Sequence, residues 1–144
     1  MPHATGLELR TGRRWERSEV VQLDASAFDD FWRFDSTSLD DAAKATPTSR
    51  IRVTKERPFA GYALSGVARS VGYLQRLAVA PSAAGKGVGS GLLIDALRWM
   101  RRRGATIAYV NTQVENDRAL DLYVRHGFQQ MSEGLAILER PLPG

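Results

Sequence analysis

The sequence predicts a mixed α/β fold, and three observations carry that prediction. Hydrophobic periodicity switches repeatedly along the chain between the two-residue repeat of strands and the 3.6-residue repeat of helices. Residues 88–103 form the clearest amphipathic helix: Leu92, Leu93, Ala96, Leu97 and Met100 share one face, and Arg98, Arg101 and Arg102 lie off it. Just before it, the apolar run 73–79 ends near Pro81 and passes through Gly85, Gly87 and Gly89, so that strand, glycine loop and helix follow in sequence.

The elements follow in order. Residues 7–10 read as a first strand. Residues 15–28 place Trp15, Val20, Val21, Leu23, Ala27 and Phe28 on a helical stripe. The aromatic-rich segment 29–35 (Phe31, Trp32, Phe34) leads into a short helix over 38–45, capped by Ser36, Thr37 or Ser38 and stopped before Pro47. Ile51 and Val53 alternate with polar residues over 49–55, the pattern of a strand. Arg57-Pro-Phe is turn-like, and 59–69 and 71–79 are two further strands joined near Ser70. Gly104 ends the 88–103 helix in the position where a left-handed residue is favoured. A buried strand over 105–113, a helix over 116–126 ended by Gly127, and a hairpin of 128–131 with 135–139 complete the chain.

A length of 144 residues suits one domain, 1–144, and 43% hydrophobic with 25% charged residues supports a buried core. The chain has no cysteine, which excludes disulfides, thiolate metal sites and a cysteine nucleophile. Its two histidines, His3 and His126, are too few for a structural zinc site, and no metal is expected. No apolar run approaches the ~20 residues of a membrane span, and the N-terminus lacks a basic-then-apolar signal pattern, so a cytoplasmic location is expected. The net charge of +4 is spread except at Arg10, Arg13, Arg14 and Arg17 and at residues 101–103. Such runs read as solvated faces that complement a helix dipole; nucleic acid is not an expected partner, whereas a small polyanion suits the charge.

The glycine loop carries chemistry. Strand, glycine loop and helix present unpaired backbone N–H groups, with a helix dipole behind them, to a phosphate. The spacing Gly85-x-Gly87-x-Gly89 is not the dinucleotide pattern G-x-G-x-x-G, and Lys86 is followed by Gly87 rather than the Ser or Thr of a P-loop. Backbone N–H groups of Ala84, Gly85, Lys86, Gly87, Val88, Gly89 and Ser90 are the expected anchor for a phosphorylated cofactor.

Two motifs then narrow the cofactor. The stretch Leu77-Ala-Val-Ala-Pro, followed by Ala84-Gly-Lys-Gly87-Val-Gly89, resembles the first signature of the GNAT superfamily of N-acetyltransferases, Gln/Arg-x-x-Gly-x-Gly/Ala after a Leu-Ala-Val strand. Ala84 stands at the Gln/Arg position, a departure that bears on cofactor affinity. Asn116-x-x-Ala119-x-x-Leu122-Tyr123-x-x-x-Gly127-Phe128 is similar to the superfamily's Asn-x-x-Ala-x-x-Leu-Tyr-x-x-x-Gly-Phe signature. The resemblance covers residues 73–128. It implies a central, mostly antiparallel twisted sheet of about six or seven strands with about four helices. Two middle strands, 73–79 and 105–113, would run parallel and splay apart to admit a pantetheine arm.

By the same resemblance, the partners are acetyl-CoA and an amine acceptor, with a homodimer admitted but not required. The backbone of Leu77, Ala78 and Val79 would pair with the pantetheine amides, and Asn116, which also suits a helix N-cap, would contact the cofactor. Tyr123 would be the general acid: a phenol with an ordinary pKa of ~10 is protonated at neutral pH and can donate to a departing thiolate of pKa ~8.5. Its alternative is a core aromatic on the inner face of the last helix. Some relatives carry a glutamate on the preceding strand; Tyr109-Val-Asn111-Thr-Gln113 has none, and Glu115 is the nearest acidic candidate for a base. Gln75 and Asn111 are expected to orient the acceptor. Phe31 and Trp32, with Phe28, Phe34, Asp29, Asp30 and Asp35, would form either an aromatic-walled acidic pocket for a cationic amine or a small satellite core. The expected function is acetyl transfer from acetyl-CoA to a primary amine; a catalytically idle acyl-CoA sensor is the alternative.

Overall fold

The computed structural model describes residues 7–28, 33–111, 117–131 and 137–142. Its elements are β1 (Leu9–Thr11), α1 (Arg17–Ala27), α2 (Ser36–Lys44), β2 (Thr48–Thr54), β3 (Gly61–Ala68), β4 (Val71–Val79), α3 (Val88–Arg102), β5 (Ile107–Asn111), α4 (Asp117–Arg125), β6 (Gln129–Gln130) and β7 (Ile137–Pro141). Seven strands form one sheet in the order β1-β2-β3-β4-β5-β7-β6. All neighbours are antiparallel except β4 and β5, which run parallel as expected.

The central feature is that parallel ladder. It joins Val71 to Ile107 at one end and Leu74 to Val110 at the other, and β4 continues to Val79. Against β3, Arg76 faces Leu64 and Leu74 faces Ser65, so Gln75 is an extra residue with no opposite number. Such a bulge bends and twists its strand. Here it directly follows Leu74, the last β4 residue paired with β5 among the described residues.

Each face of the sheet buries its own core. On one side α3 and α4 cover Leu74, Ala108, Val110 and Leu138 with Leu92, Leu93, Met100 and Tyr123. On the other, α1 and α2 bring Val20, Leu23 and Leu39 onto Ile51, Val53, Tyr62 and Leu64. Complete burial of a leucine such as Leu92 or Leu39, each 0% exposed, is worth about 2–3 kcal/mol. Gly104 adopts φ of +93° just past α3, the left-handed stop its position predicts. No helix among the described residues is long and apolar enough to cross a membrane.

Two local expectations fail for identifiable reasons. Trp15 is 73% exposed with the Arg13 guanidinium over its ring, not part of an apolar stripe. Residues Arg14–Glu16 form a tight 3-10 turn instead of the start of α1. There the fully buried Glu16 carboxylate accepts from Arg10, Arg57 and the Arg13 backbone N–H, which holds its pKa far below the usual carboxylate range. The second case is the α2 cap. It is Asp35, accepting from the Ser38 N–H at 2.8 Å, and the helix starts at Ser36.

Candidate active site

A cleft of about 780 Å³ opens beside the outer half of β4. Leu77, Ala78 and Val79 line one side, and Arg118, Leu122 and Tyr123 on α4 line another. The loop and first turn of α3 close one part of it, and Ala27 and Phe28 from the end of α1 reach it as well.

The loop geometry follows from its glycines. Gly85 and Gly87 have φ of +78° and +82°, a region that residues with a Cβ adopt only with strain. Gly87 is the N-cap of α3 and has no side chain to offer the helix. The first bond of the helical ladder runs from the Gly91 N–H to the Gly87 carbonyl at 3.0 Å, which leaves the N–H groups of Val88, Gly89 and Ser90 ahead of it without intrahelical acceptors. Gly89 answers a different demand: a Cβ there would stand 3.3 Å from Leu122, so it lets α3 approach α4 closely. The expected anchor is therefore trimmed. The Ala84 and Lys86 amides donate to the Pro81 and Ala83 carbonyls at 3.2 and 3.3 Å, although Ala84 still lines the cleft. The Lys86 side chain is exposed.

Positive charge reaches the same region from α4. Arg118 and Arg125 both line the cleft, the latter paired with Asp121 at 3.1 Å. Ser90 also lines it, and its hydroxyl lies 3.1 Å from Nε2 of His126. Uncapped N–H groups, a helix dipole and two guanidinium groups fit the pyrophosphate of a coenzyme A.

Tyr123 is 4% exposed yet belongs to the cleft lining, packed edge-on against Phe128 at 5.7 Å between ring centroids. Burial pushes its pKa above the ordinary phenol value, and the charge of Arg76 pulls it partly back. The hydroxyl therefore stays protonated throughout the neutral range.

On the α1 side lies a buried ion pair with no counterpart in the expected site. Asp24 is 0% exposed, and four donors converge on its carboxylate. Arg76 Nε and Nη2 reach it at 2.8 and 2.9 Å, the Tyr62 hydroxyl at 2.6 Å and the Phe34 N–H at 2.6 Å. The Arg76 guanidinium is held between the rings of Phe28 and Phe34, 3.8 and 4.0 Å from their centroids. Those two aromatic faces are thus taken by the chain's own cation, and Asp35 is used as a helix cap. Of the acidic aromatic pocket, these three residues do not form a socket for an external cation.

Gln75, expected to orient the acceptor, is the half-buried bulge residue of β4. Asn111 is the last residue of β5, in register with Ile137. Glu115, Asn116, Phe31 and Trp32 lie outside the described residues. Sequence reading missed Asp24, Arg76, Arg118, Arg125 and His126. A signal existed for two of them: Asp24 lies one helical turn from Val20 on an apolar face, and Arg76 shares strand parity with Ala78 and faces the same core, whereas Leu74, across the bulge, faces the other.

The comparisons agree with this geometry. The model of the Acetyltransferase (GNAT) family matches residues 14–128. No curated protein matches the sequence. Among solved structures, the ribosomal-protein-S18-alanine N-acetyltransferase from Escherichia coli superposes with a TM-score of 0.81 at 14% identity, over 96% of this chain and 95% of that one. The PaiA N-acetyltransferase from Thermoplasma acidophilum, in complex with coenzyme A, gives a TM-score of 0.80 at 14% identity, over 95% and 99% of the two chains. Nourseothricin acetyltransferase gives 0.75 at 20% identity, over 96% and 100%. With the family model spanning the glycine loop and the Leu122-Tyr123 helix alike, the chain belongs to the GNAT acetyltransferase family and is an acyltransferase.

Proposed function

We propose that this chain transfers an acetyl group from acetyl-CoA to a primary amine, with Tyr123 as general acid. The observation that carries the reading is a single cleft lined by the outer half of β4, the uncapped first turn of α3 and the Tyr123 side chain. Acetyl-CoA supplies the thioester carbonyl and the thiol leaving group. Among the described residues, β4 pairs with β5 only as far as Leu74, and the backbone of Leu77, Ala78 and Val79 beyond it is suited to take the pantetheine amides as an added strand. Val88, Gly89 and Ser90 direct their N–H groups, and Arg118 and Arg125 their charge, toward the phosphates. Asn116 is assigned a contact to the same cofactor.

Tyr123 holds a proton for the sulfur. Its raised pKa does not disqualify it, because the same apolar surroundings also raise the pKa of a thiolate formed beside it. Asp24 is not a base candidate: four donors already occupy its oxygens. Glu115 remains the nearest acidic candidate, and an amine that arrives neutral requires no base. Gln75, Asn111, Phe31 and Trp32 are assigned to the acceptor side.

Thiol release from acetyl-CoA, measured with a panel of primary amines, tests the function. Release that depends on the amine supports the transferase, whereas tight binding without release at any amine would make the chain a sensor. A second measurement tests the anchor. Gly87→Val forces a β-branched residue into φ of +82° and is expected to weaken acetyl-CoA binding more than tenfold, at least ~1.4 kcal/mol. Unchanged affinity in a folded variant would remove the phosphate-loop assignment.

A further inference from the structure

We propose that His126 is a positioning residue of the phosphate anchor, acting through Ser90, and that it takes up a proton when pyrophosphate binds there. The inference rests on the acetyl-CoA reading above. His126 follows the last turn of α4, and its backbone is fixed from both sides. Its N–H donates to the Leu122 and Tyr123 carbonyls at 3.2 and 3.1 Å, and its carbonyl accepts from Arg140 Nε at 2.7 Å. The ring then reaches α3, where Nε2 stands 3.1 Å from the Ser90 hydroxyl oxygen.

A serine hydroxyl has one proton to give. If Nε2 carries a lone pair, it takes that proton and leaves only oxygen lone pairs facing the cleft, which repel a phosphate. If Nε2 carries a proton, Ser90 accepts from it and turns its own O–H toward a phosphate oxygen. Binding an anion therefore selects protonated Nε2. Of the two forms that carry it, the neutral Nε2–H tautomer and the imidazolium, the phosphate charge favours the imidazolium, which takes its extra proton from solvent and sets a positive charge one hydrogen bond behind the ligand.

The surroundings set the free protein against that form. From α4 acts the charge of Arg125, itself paired with Asp121 of the cleft lining; from β7 acts that of Arg140; from α3 the contact is the uncharged Ser90. Burial and the two arginines hold the imidazole below its ordinary pKa. Two phosphate charges arriving at Ser90 oppose both arginines.

The probe is dephospho-CoA, which keeps the pyrophosphate and lacks the 3′-phosphate monoester that itself titrates near neutrality. Since the chain has two histidines, His3→Gln leaves His126 as the only imidazole to follow by NMR. Saturation with dephospho-CoA is expected to raise the His126 pKa by about one pH unit, with affinity about five- to tenfold tighter at pH 5.5 than at pH 8. His126→Asn should flatten that pH profile, and Ser90→Ala should cut the ligand-induced rise in the His126 pKa to less than half, leaving only the through-space effect of the phosphates. A merely structural role would weaken binding equally at every pH. A pKa that does not move on saturation, or an unaltered pH profile in His126→Asn, overturns the inference. Absence of binding at any pH overturns the cofactor reading, and this inference with it.

Discussion

Asp24→Ala is expected to cost the fold about 3–5 kcal/mol, a fall in Tm on the order of 10 °C. The carboxylate is 0% exposed and the Arg76 side chain only 12%, so removing the anion takes from a mostly desolvated guanidinium the carboxylate that both its Nε and Nη2 bond. It also strips the buried Tyr62 hydroxyl and the half-buried Phe34 N–H of their acceptor, which adds to the cost. A companion variant separates the cost of breaking the pair from the worth of having it. Arg76→Met with Asp24→Leu replaces both charges by apolar groups, and should recover much of the loss. Calorimetric melting decides it. A drop below about 3 °C for Asp24→Ala would mean that the pair is solvated and that its geometry contributes little.

The pair also connects stability with the site. It ties the end of α1, the chain entering α2 and the middle of β4 together at one point, directly before the Leu77–Val79 segment that lines the cleft. Phe28 touches both Arg76 and the cleft. Loss of the pair would therefore loosen the α1 wall of the cleft as well as the core behind it.

How much of this was legible in the sequence depends on how local the cause was. The α3 stripe, its glycine stop and the glycine loop are each set by residues within a few positions, and each appears where expected. The parallel pairing of β4 with β5 came with the two family motifs rather than from periodicity. The bulge at Gln75 has no local mark, because an extra strand residue shows only when the opposite strand is in place. Asp24 and Arg76 are 52 residues apart, and nothing near either one names the other. Trp15 misled for the opposite reason: an aromatic at helical spacing reads as core, yet Glu16 is the residue buried there and Trp15 is turned outward. The α2 cap was missed by one position because Asp35 precedes three hydroxyl residues, all of them acceptable caps.

Tyr123→Phe removes one hydroxyl and is expected to lower turnover by ~10²–10⁴, the range associated with a positioned general acid. Packing should survive. The ring keeps its edge-on contact with Phe128, and its hydroxyl end belongs to a residue of the cleft lining. Acetyl-CoA affinity should barely move, since the phosphate anchor and the β4 edge are untouched. The loss should fall on kcat far more than on KM, because a donated proton matters only as charge develops on sulfur. Burial contributes to the specificity of this signature. It keeps the phenol protonated well above neutral pH, so an acid role at Tyr123 imposes no ionisation of its own on the rate between pH 6 and 9. Comparison with an acceptor-independent probe sharpens the test: equilibrium binding of acetyl-CoA to the variant should match the parent while single-turnover chemistry slows. If the variant keeps more than half of its single-turnover rate, Tyr123 is a core aromatic that happens to line the cleft, and the thiolate takes its proton from another group.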